Sequence, residues 1–260
     1  MLSTELGLRP VSTAHIACKI CDGASALYGV VDWHRISENE RGVRPPLSGV
    51  PVYYRRCAAC GFLFTDAFDD WDHDQFKTHI YNDAYHAFDP DYQAVRPNAN
   101  AGIVANLWAP HKPDMRVLDY GGGNDVFCSV LRAAGFREAV TYDPMVGEHA
   151  APPEGKFDLV TCFETLEHLP DPVAGIGSIV QYAAEQGAVL YSTLTQPDNF
   201  DQLGMSWWYV GPRNGHISMF SKEALVRAWA HHGYRTIALN AGLHLAFRTL
   251  PTQWGLTALQ

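Results

Sequence analysis

The stretch Met115-Arg-Val-Leu-Asp-Tyr-Gly-Gly-Gly-Asn-Asp-Val-Phe127 constrains this chain more than any other. It reads as a buried strand that breaks into a glycine turn and passes directly into a helix. Val117 and Leu118 supply apolar β-formers. Gly121, Gly122 and Gly123 allow a sharp turn with no Cβ between the backbone and a ligand. Asn124 or Asp125 can cap a helix whose apolar positions Phe127, Val130, Leu131 and Ala134 recur at helical spacing before Gly135 stops it. A second strand over 139–142 ends in Asp143, twenty residues after Gly123, where a carboxylate can accept hydrogen bonds from both hydroxyls of a ribose. Such a unit binds a nucleoside cofactor.

Two families use this arrangement. The nicotinamide fingerprint needs a third glycine where Val126 stands, and no Tyr-x-x-x-Lys pair accompanies it. A nicotinamide-dependent oxidoreductase is therefore the weaker alternative. The segment 157–172, Phe-Asp-Leu-Val-Thr-Cys-Phe-Glu-Thr-Leu-Glu-His-Leu-Pro-Asp-Pro, resembles the fourth strand and following loop of class I S-adenosylmethionine-dependent methyltransferases. The resemblance spans about residues 114–250 and implies a doubly wound, Rossmann-like α/β sheet with a closing antiparallel hairpin. It places the cofactor at Asp119, Gly121, Gly122, Gly123 and Asp143, with Tyr85 over it; the expected adenine neighbourhood, Phe163 and Glu164, is this chain's own and not carried by the resemblance.

The remaining elements follow in order. Asp171-Pro172 starts a helix running to about residue 184, with Gly187 as the stop before a strand over 188–193. Ser221 caps a helix bearing Ala224, Leu225, Ala228 and Trp229, and Gly233 ends it. Runs 234–239 and 243–250 form the hairpin. One departure from the family stands out: only thirteen residues, 144–156, separate Asp143 from Phe157, where a helix and a third strand usually fit. The sheet should have a stunted edge. A non-catalytic binding protein built on a degenerate methyltransferase fold is the alternative that this shortening supports.

Cys18-Lys-Ile-Cys21 and Cys57-Ala-Ala-Cys60-Gly61 are two knuckles of identical spacing. Two residues between cysteines let both sulfurs of a knuckle face one tetrahedral ion, and four thiolates fit a closed, structural Zn²⁺. A redox dithiol needs only one pair, and a disulfide framework belongs to small secreted chains. Cys128 and Cys162 sit among apolar neighbours and read as buried small hydrophobes. The expected domains are a zinc-ribbon-like module over 1–70, a helical connection and cofactor lid over 71–112 with a helix at 94–108, and a methyltransferase domain over 113–260. Residues 38–49 form the expected loop within the module.

The net charge of −9 disfavours a nucleic-acid partner, which would need a basic stripe for phosphates. The acidic run 66–74 reads as a solvated linker face. No apolar run reaches the length of a membrane span, and the first residues lack the basic and hydrophobic regions of a signal peptide. The expectation is a cytoplasmic protein with no membrane partner. Oligomeric state is not legible.

Methyl transfer to a hydroxyl needs a base for the departing proton. Two histidines are candidates: His168, in Glu167-His168-Leu-Pro, and His216, in Asn214-Gly-His-Ile-Ser-Met-Phe-Ser221. The second segment resembles one in a subgroup of bacterial small-molecule and sugar methyltransferases, some with an N-terminal zinc module, and that resemblance implies that His216 faces the acceptor. His216 ranks first; the alternative for His168 is to orient its loop or touch the cofactor. Tyr81, Trp207, Trp208, Tyr209 and Arg213 are expected to line the acceptor pocket, Arg213 being suited to a carboxylate or phosphate. A packed lid is the alternative for the aromatic cluster, as is ordinary core packing for Tyr81 and Tyr85. The acceptor is expected to be a small polar metabolite, such as a sugar.

Overall fold

The computed structural model describes residues 6–37, 43–251 and 254; positions 38–42 of the expected loop lie outside the described residues. In chain order the strands are β1 (Ile16–Ala17), β2 (Ala24–Asp32), β3 (Pro51–Cys57), β4 (Leu63–Phe64), β5 (Arg116–Tyr120), β6 (Glu138–Tyr142), β7 (Phe157–Cys162), β8 (Ala183–Ser192), β9 (Ser218–Met219), β10 (Arg235–Ala238) and β11 (Leu243–Phe247). They form two sheets, β1-β2-β3-β4-β9 and β10-β11-β8-β7-β5-β6. The chain divides into two compact units, one made of 1–90, 166–174 and 194–228, the other of 91–165, 175–193 and 229–260.

The first unit is not the closed module over 1–70 that the sequence suggests. Leu63 and Phe64 of β4 are fully buried, and a buried strand must pair its backbone N–H and C=O groups on both sides. The late strand β9 supplies the second side, with Leu63 opposite Met219 and Phe64 opposite Ser218. Segment 166–174 joins the same unit: the Ser218 hydroxyl donates to the Leu169 carbonyl at 2.7 Å, and the Lys19 ammonium donates to the Pro170 carbonyl at 2.9 Å. The expected 71–112 connection is likewise divided between the units. Its first part is held by aromatic packing, Trp71 lying 4.8 Å from Phe68 and 5.2 Å from Phe76.

The acidic run is solvated in part: Asp70, Asp72 and Asp74 are exposed and Asp66 and Asp69 are half-buried, and most of the run is paired. Asp66 accepts from the buried Arg55 at 3.2 Å, Asp69 pairs with Lys19 and Arg9, and Asp70 pairs with Arg9. Asp72 closes a capping box with Gln75 at the start of the helix His73–His79. Charge density alone misses these partners because they come from positions far away in sequence.

The second unit carries the doubly wound sheet. β5 pairs in parallel with β6 and β7, β7 pairs in parallel with β8, and β11 and β10 close the sheet antiparallel. Its core packs Val104 of the helix Val95–Leu107 and Trp108, the residue that caps its C-terminus, with Phe127 and Leu131 of the helix Val126–Ala133, and with Val117, Leu159, Leu190 and Phe247 from the strands. Cys128 and Cys162 are fully buried, as expected. Residues 144–156 hold only the short 3-10 turn Gly147–His149, and β6 is the sheet edge, which matches the stunted edge. One boundary differs from expectation: the helix Pro172–Val180 ends early and β8 starts at Ala183, so Gly187 lies inside a strand. A Cβ there would stand 2.8 Å from the Asp158 carbonyl oxygen; glycine is needed for close strand approach at the register shift between Phe157 and Leu159.

Candidate functional site

In the second unit the chain leaves β5 and turns at Gly121 and Gly123, both with positive φ (73° and 63°). A Cβ at Gly121 would lie 2.7 Å from the Thr165 hydroxyl, and one at Gly122 would lie 2.3 Å from Asp119 Oδ2; one at Gly123 would meet nothing within 4 Å. The loop is thus closed on its protein side and open beside Gly123. Asp143 clamps it from the end of β6: Gly123 N–H donates to its Oδ2 at 3.0 Å and Met145 N–H to its Oδ1 at 2.8 Å. Each carboxylate oxygen accepts more than one hydrogen bond, so Asp143 retains capacity for a ribose. Asn124, not Asp125, serves the helix start, accepting from Val126 N–H at 3.1 Å. Asp125 instead accepts from Thr141 Oγ1 at 3.0 Å and pairs with Arg132. β5 has a parallel neighbour on each side, the switch point at which doubly wound sheets bind ligands. Past the end of β7, Glu164 holds a positive φ of 49°, its N–H donating to the Ser192 hydroxyl at 2.8 Å while that hydroxyl donates to Glu164 Oε1 at 2.6 Å. Phe163 packs edge-on against Phe127 at 5.6 Å.

Asp119 is buried beneath this loop and accepts from Thr161 Oγ1 at 2.7 Å. Burial, with repulsion from Asp143 and Asp125, pushes its carboxyl up to about 7 against the pull of the Thr161 hydrogen bond. The folded state therefore holds this proton over a range in which the unfolded chain has lost it. The resulting stability is present at low pH, declines as pH rises to about 7 and is level above. Urea midpoints for wild type should fall between pH 5 and pH 8 by more than those for Asp119→Asn, which lacks the titration.

The first unit gathers the histidines and most of the expected acceptor residues. The 3-10 turn Leu166–His168 carries Glu167, fully buried, and His168. Ile217 N–H donates to the Glu167 carbonyl at 2.9 Å, fixing this turn beside His216. The two imidazoles lie 5.1 Å apart between centroids. His216 is buried. Its Nδ1 lies 2.8 Å from the Tyr209 carbonyl oxygen, an acceptor only, so Nδ1 carries a proton, and in the neutral ring the lone pair is on Nε2. The Tyr209 ring lies 4.3 Å from that of His216 and its hydroxyl donates to Glu167 Oε1 at 2.7 Å. Tyr54, on β3, donates its hydroxyl to the His216 carbonyl at 2.8 Å. Gly215, with φ of 86°, makes the close approach possible: a Cβ there would stand 2.9 Å from both His168 Nδ1 and the Tyr81 hydroxyl.

Tyr81 lies edge-on to His168 at 5.9 Å and to Tyr85 at 5.2 Å. The two tyrosines do not share a helix; Tyr81 follows His73–His79 and Tyr85 opens the short helix Tyr85–Phe88. The buried Tyr85 donates its hydroxyl to the Asn214 carbonyl at 3.4 Å. Arg213 is buried, donating to the Ile80 carbonyl at 3.1 Å with its guanidinium 4.1 Å from the Phe88 ring centre. These contacts give Arg213 a packing place. Trp207 is buried against Phe200 and Tyr209, whereas Trp208 is 45% exposed. Sequence reasoning singled out His168 and His216 and passed over Glu167, although a carboxylate adjoining a candidate histidine was itself the available signal.

The four knuckle cysteines form a second cluster in the same unit. Cys18 and Cys60 sulfurs are 3.7 Å apart and those of Cys21 and Cys57 3.6 Å. A tetrahedral Zn–S₄ centre with bonds of about 2.3 Å sets sulfurs about 3.8 Å apart, so the donor set fits the ion. Backbone N–H groups of Ile20, Ala59 and Cys60 point at knuckle sulfurs at 3.4–3.5 Å. Gly61, at φ of 72°, completes the second turn, while Asp22 takes the left-handed position after the first.

A methyltransferase-domain family profile matches residues 92–239, more than half of the chain. The chain belongs to the methyltransferase-domain family. This match bears out the resemblance read from the glycine loop and from residues 157–172, and it includes the segments with His168 and His216 but neither cysteine knuckle. Among curated relatives, the ubiquinone biosynthesis O-methyltransferase of Escherichia coli (strain SMS-3-5 / SECEC) is 42% identical over 110 residues, covering 38% of this chain and 43% of that protein. The protein of the same name from Salmonella paratyphi A is 33% identical over 155 residues, 55% of this chain and 61% of that one. The chain thus spans about half the length of the curated relatives it matches. Among solved structures, magnesium protoporphyrin IX methyltransferase from Synechocystis PCC 6803 with bound SAH aligns at a TM-score of 0.43 and 17% identity, covering 59% of this chain and 84% of that one. Among the described residues no helix is long and apolar enough to cross a membrane.

Proposed function

We propose that the protein methylates a hydroxyl of a small polar acceptor, a sugar or related metabolite, using S-adenosylmethionine and His216 as general base. When bound, the cofactor supplies a methyl group on a positively charged sulfonium. The backbone of Gly121, Gly122 and Gly123 leaves room for it, Asp143 holds the ribose, and Phe163 and Glu164 adjoin the adenine. The observation that carries the reading is the orientation of His216: with Nδ1–H donated to the Tyr209 carbonyl, Nε2 has the lone pair for the acceptor proton. With the cofactor bound, its methyl group would pass from sulfur to the acceptor oxygen, and His216 Nε2 would take the acceptor's proton. Tyr209 holds the imidazole, Tyr81 packs beside His168 with Tyr85 behind it, and Trp208 offers an exposed aromatic face to the acceptor. Arg213 holds the 80–88 segment in place through the Ile80 carbonyl and the Phe88 ring. A structural Zn²⁺ in Cys18, Cys21, Cys57 and Cys60 holds the first unit together. O-methylation accords with the names of the curated relatives. Incubation of hydroxylated acceptors with S-adenosylmethionine, read by mass spectrometry, should give a product heavier by one methyl group; methylation confined to amines or carbon acids would contradict it.

A further inference from the structure

Glu167, His168 and His216 are placed as a chelating set. One donor atom from each of the three lies within 4.8 Å of those of the other two, and none of them comes from the cysteine cluster. Ligands at about 2.0–2.2 Å from one cation stand roughly 3–3.5 Å from each other, a spacing within the limit that the three donors meet. Two imidazoles and one carboxylate form a donor set for first-row transition cations, with positions left open. The surroundings match those of metal ligands. The His216 Nδ1–H is donated to a backbone carbonyl at 2.8 Å and Glu167 Oε1 is held by the Tyr209 hydroxyl at 2.7 Å, the outer contacts that fix ligand tautomer and orientation. The two ligand segments are tied by the backbone bond from Ile217 to Glu167 at 2.9 Å, and Glu167 is fully buried, where a neighbouring positive charge offsets the cost of removing a carboxylate from water.

We propose that Glu167, His168 and His216 form a second metal site that takes one first-row transition cation, such as Zn²⁺ or Co²⁺. Its effect on turnover rests on the reading of His216 as the base: a lone pair that holds a cation cannot take a proton, so the filled site is an inhibited one. Its existence does not depend on that reading. The test is stoichiometry on the full-length chain without cofactor or acceptor. Protein stripped with chelator is reloaded with Co²⁺, freed of excess, and its metal content and absorption are measured.

Wild type should hold two equivalents, one with the near-ultraviolet charge-transfer band of thiolate ligands and one without. His216→Ala and Glu167→Gln should each hold one, with the thiolate band kept; that band also reports that the first unit has folded. A wild type that holds only the thiolate-bound equivalent overturns the proposal, as does a second equivalent retained by both folded variants. Failure of methyl transfer, by contrast, would leave the metal count unchanged.

Discussion

His216→Ala should lower turnover by roughly 100- to 10,000-fold, the usual contribution of a positioned general base, with S-adenosylhomocysteine affinity unchanged. The variant keeps the backbone carbonyl that accepts from Tyr54 but leaves the Tyr209 carbonyl without the His216 Nδ1–H, so a thermal melt beside the kinetics separates loss of proton removal from loss of folding. Affinity is expected to hold because the glycine loop and Asp143 belong to the other unit. Rapid-quench turnover beside calorimetry reads both quantities. A variant within a few-fold of wild type would show that His216 is not the base, and His168→Ala then becomes the comparison to make.

Removal of the knuckle metal should be the largest effect on stability. Structural zinc contributes an apparent ~10–16 kcal/mol in small zinc-finger peptides, comparable to the whole stability of a typical domain, about 5–15 kcal/mol. Dialysis against a strong chelator, or Cys57→Ser, should therefore unfold the sheet β1-β2-β3-β4-β9, because Cys57 ends β3 and Cys60 sits in the turn before β4. Hydrogen exchange should show protection lost over 16–32, 51–64 and 218–219. Full protection at these positions after metal removal would contradict a structural metal.

The doubly wound sheet was legible in the sequence because its signals are local. A strand running into three glycines, an acid at the end of the next strand and capped helices each declare themselves within about ten residues, and Ser221 does accept from Ala224 N–H at 3.0 Å. The shortened 144–156 segment likewise declared the bare edge at β6. What escaped was long-range. Nothing near Ser218 and Met219 marks them as partners of Leu63 and Phe64, and nothing in an acidic run names Arg9, Lys19 and Arg55 as its counter-charges. For the same reason the first unit read as a closed N-terminal module when it draws on segments more than a hundred residues away. Arg213 illustrates the point for a single side chain: its neighbours, the Ile80 carbonyl and the Phe88 ring, lie more than a hundred residues away in the sequence.

Calorimetric titration of S-adenosylhomocysteine into wild type and Gly122→Ala tests the central claim most directly. Wild type should bind one equivalent. The variant should lose binding while remaining folded, since a Cβ 2.3 Å from Asp119 Oδ2 and 3.0 Å from Thr141 Cγ2 must displace the loop. No heat of binding to wild type, or equal affinity in the two proteins, would contradict a nucleoside cofactor seated on the glycine turn.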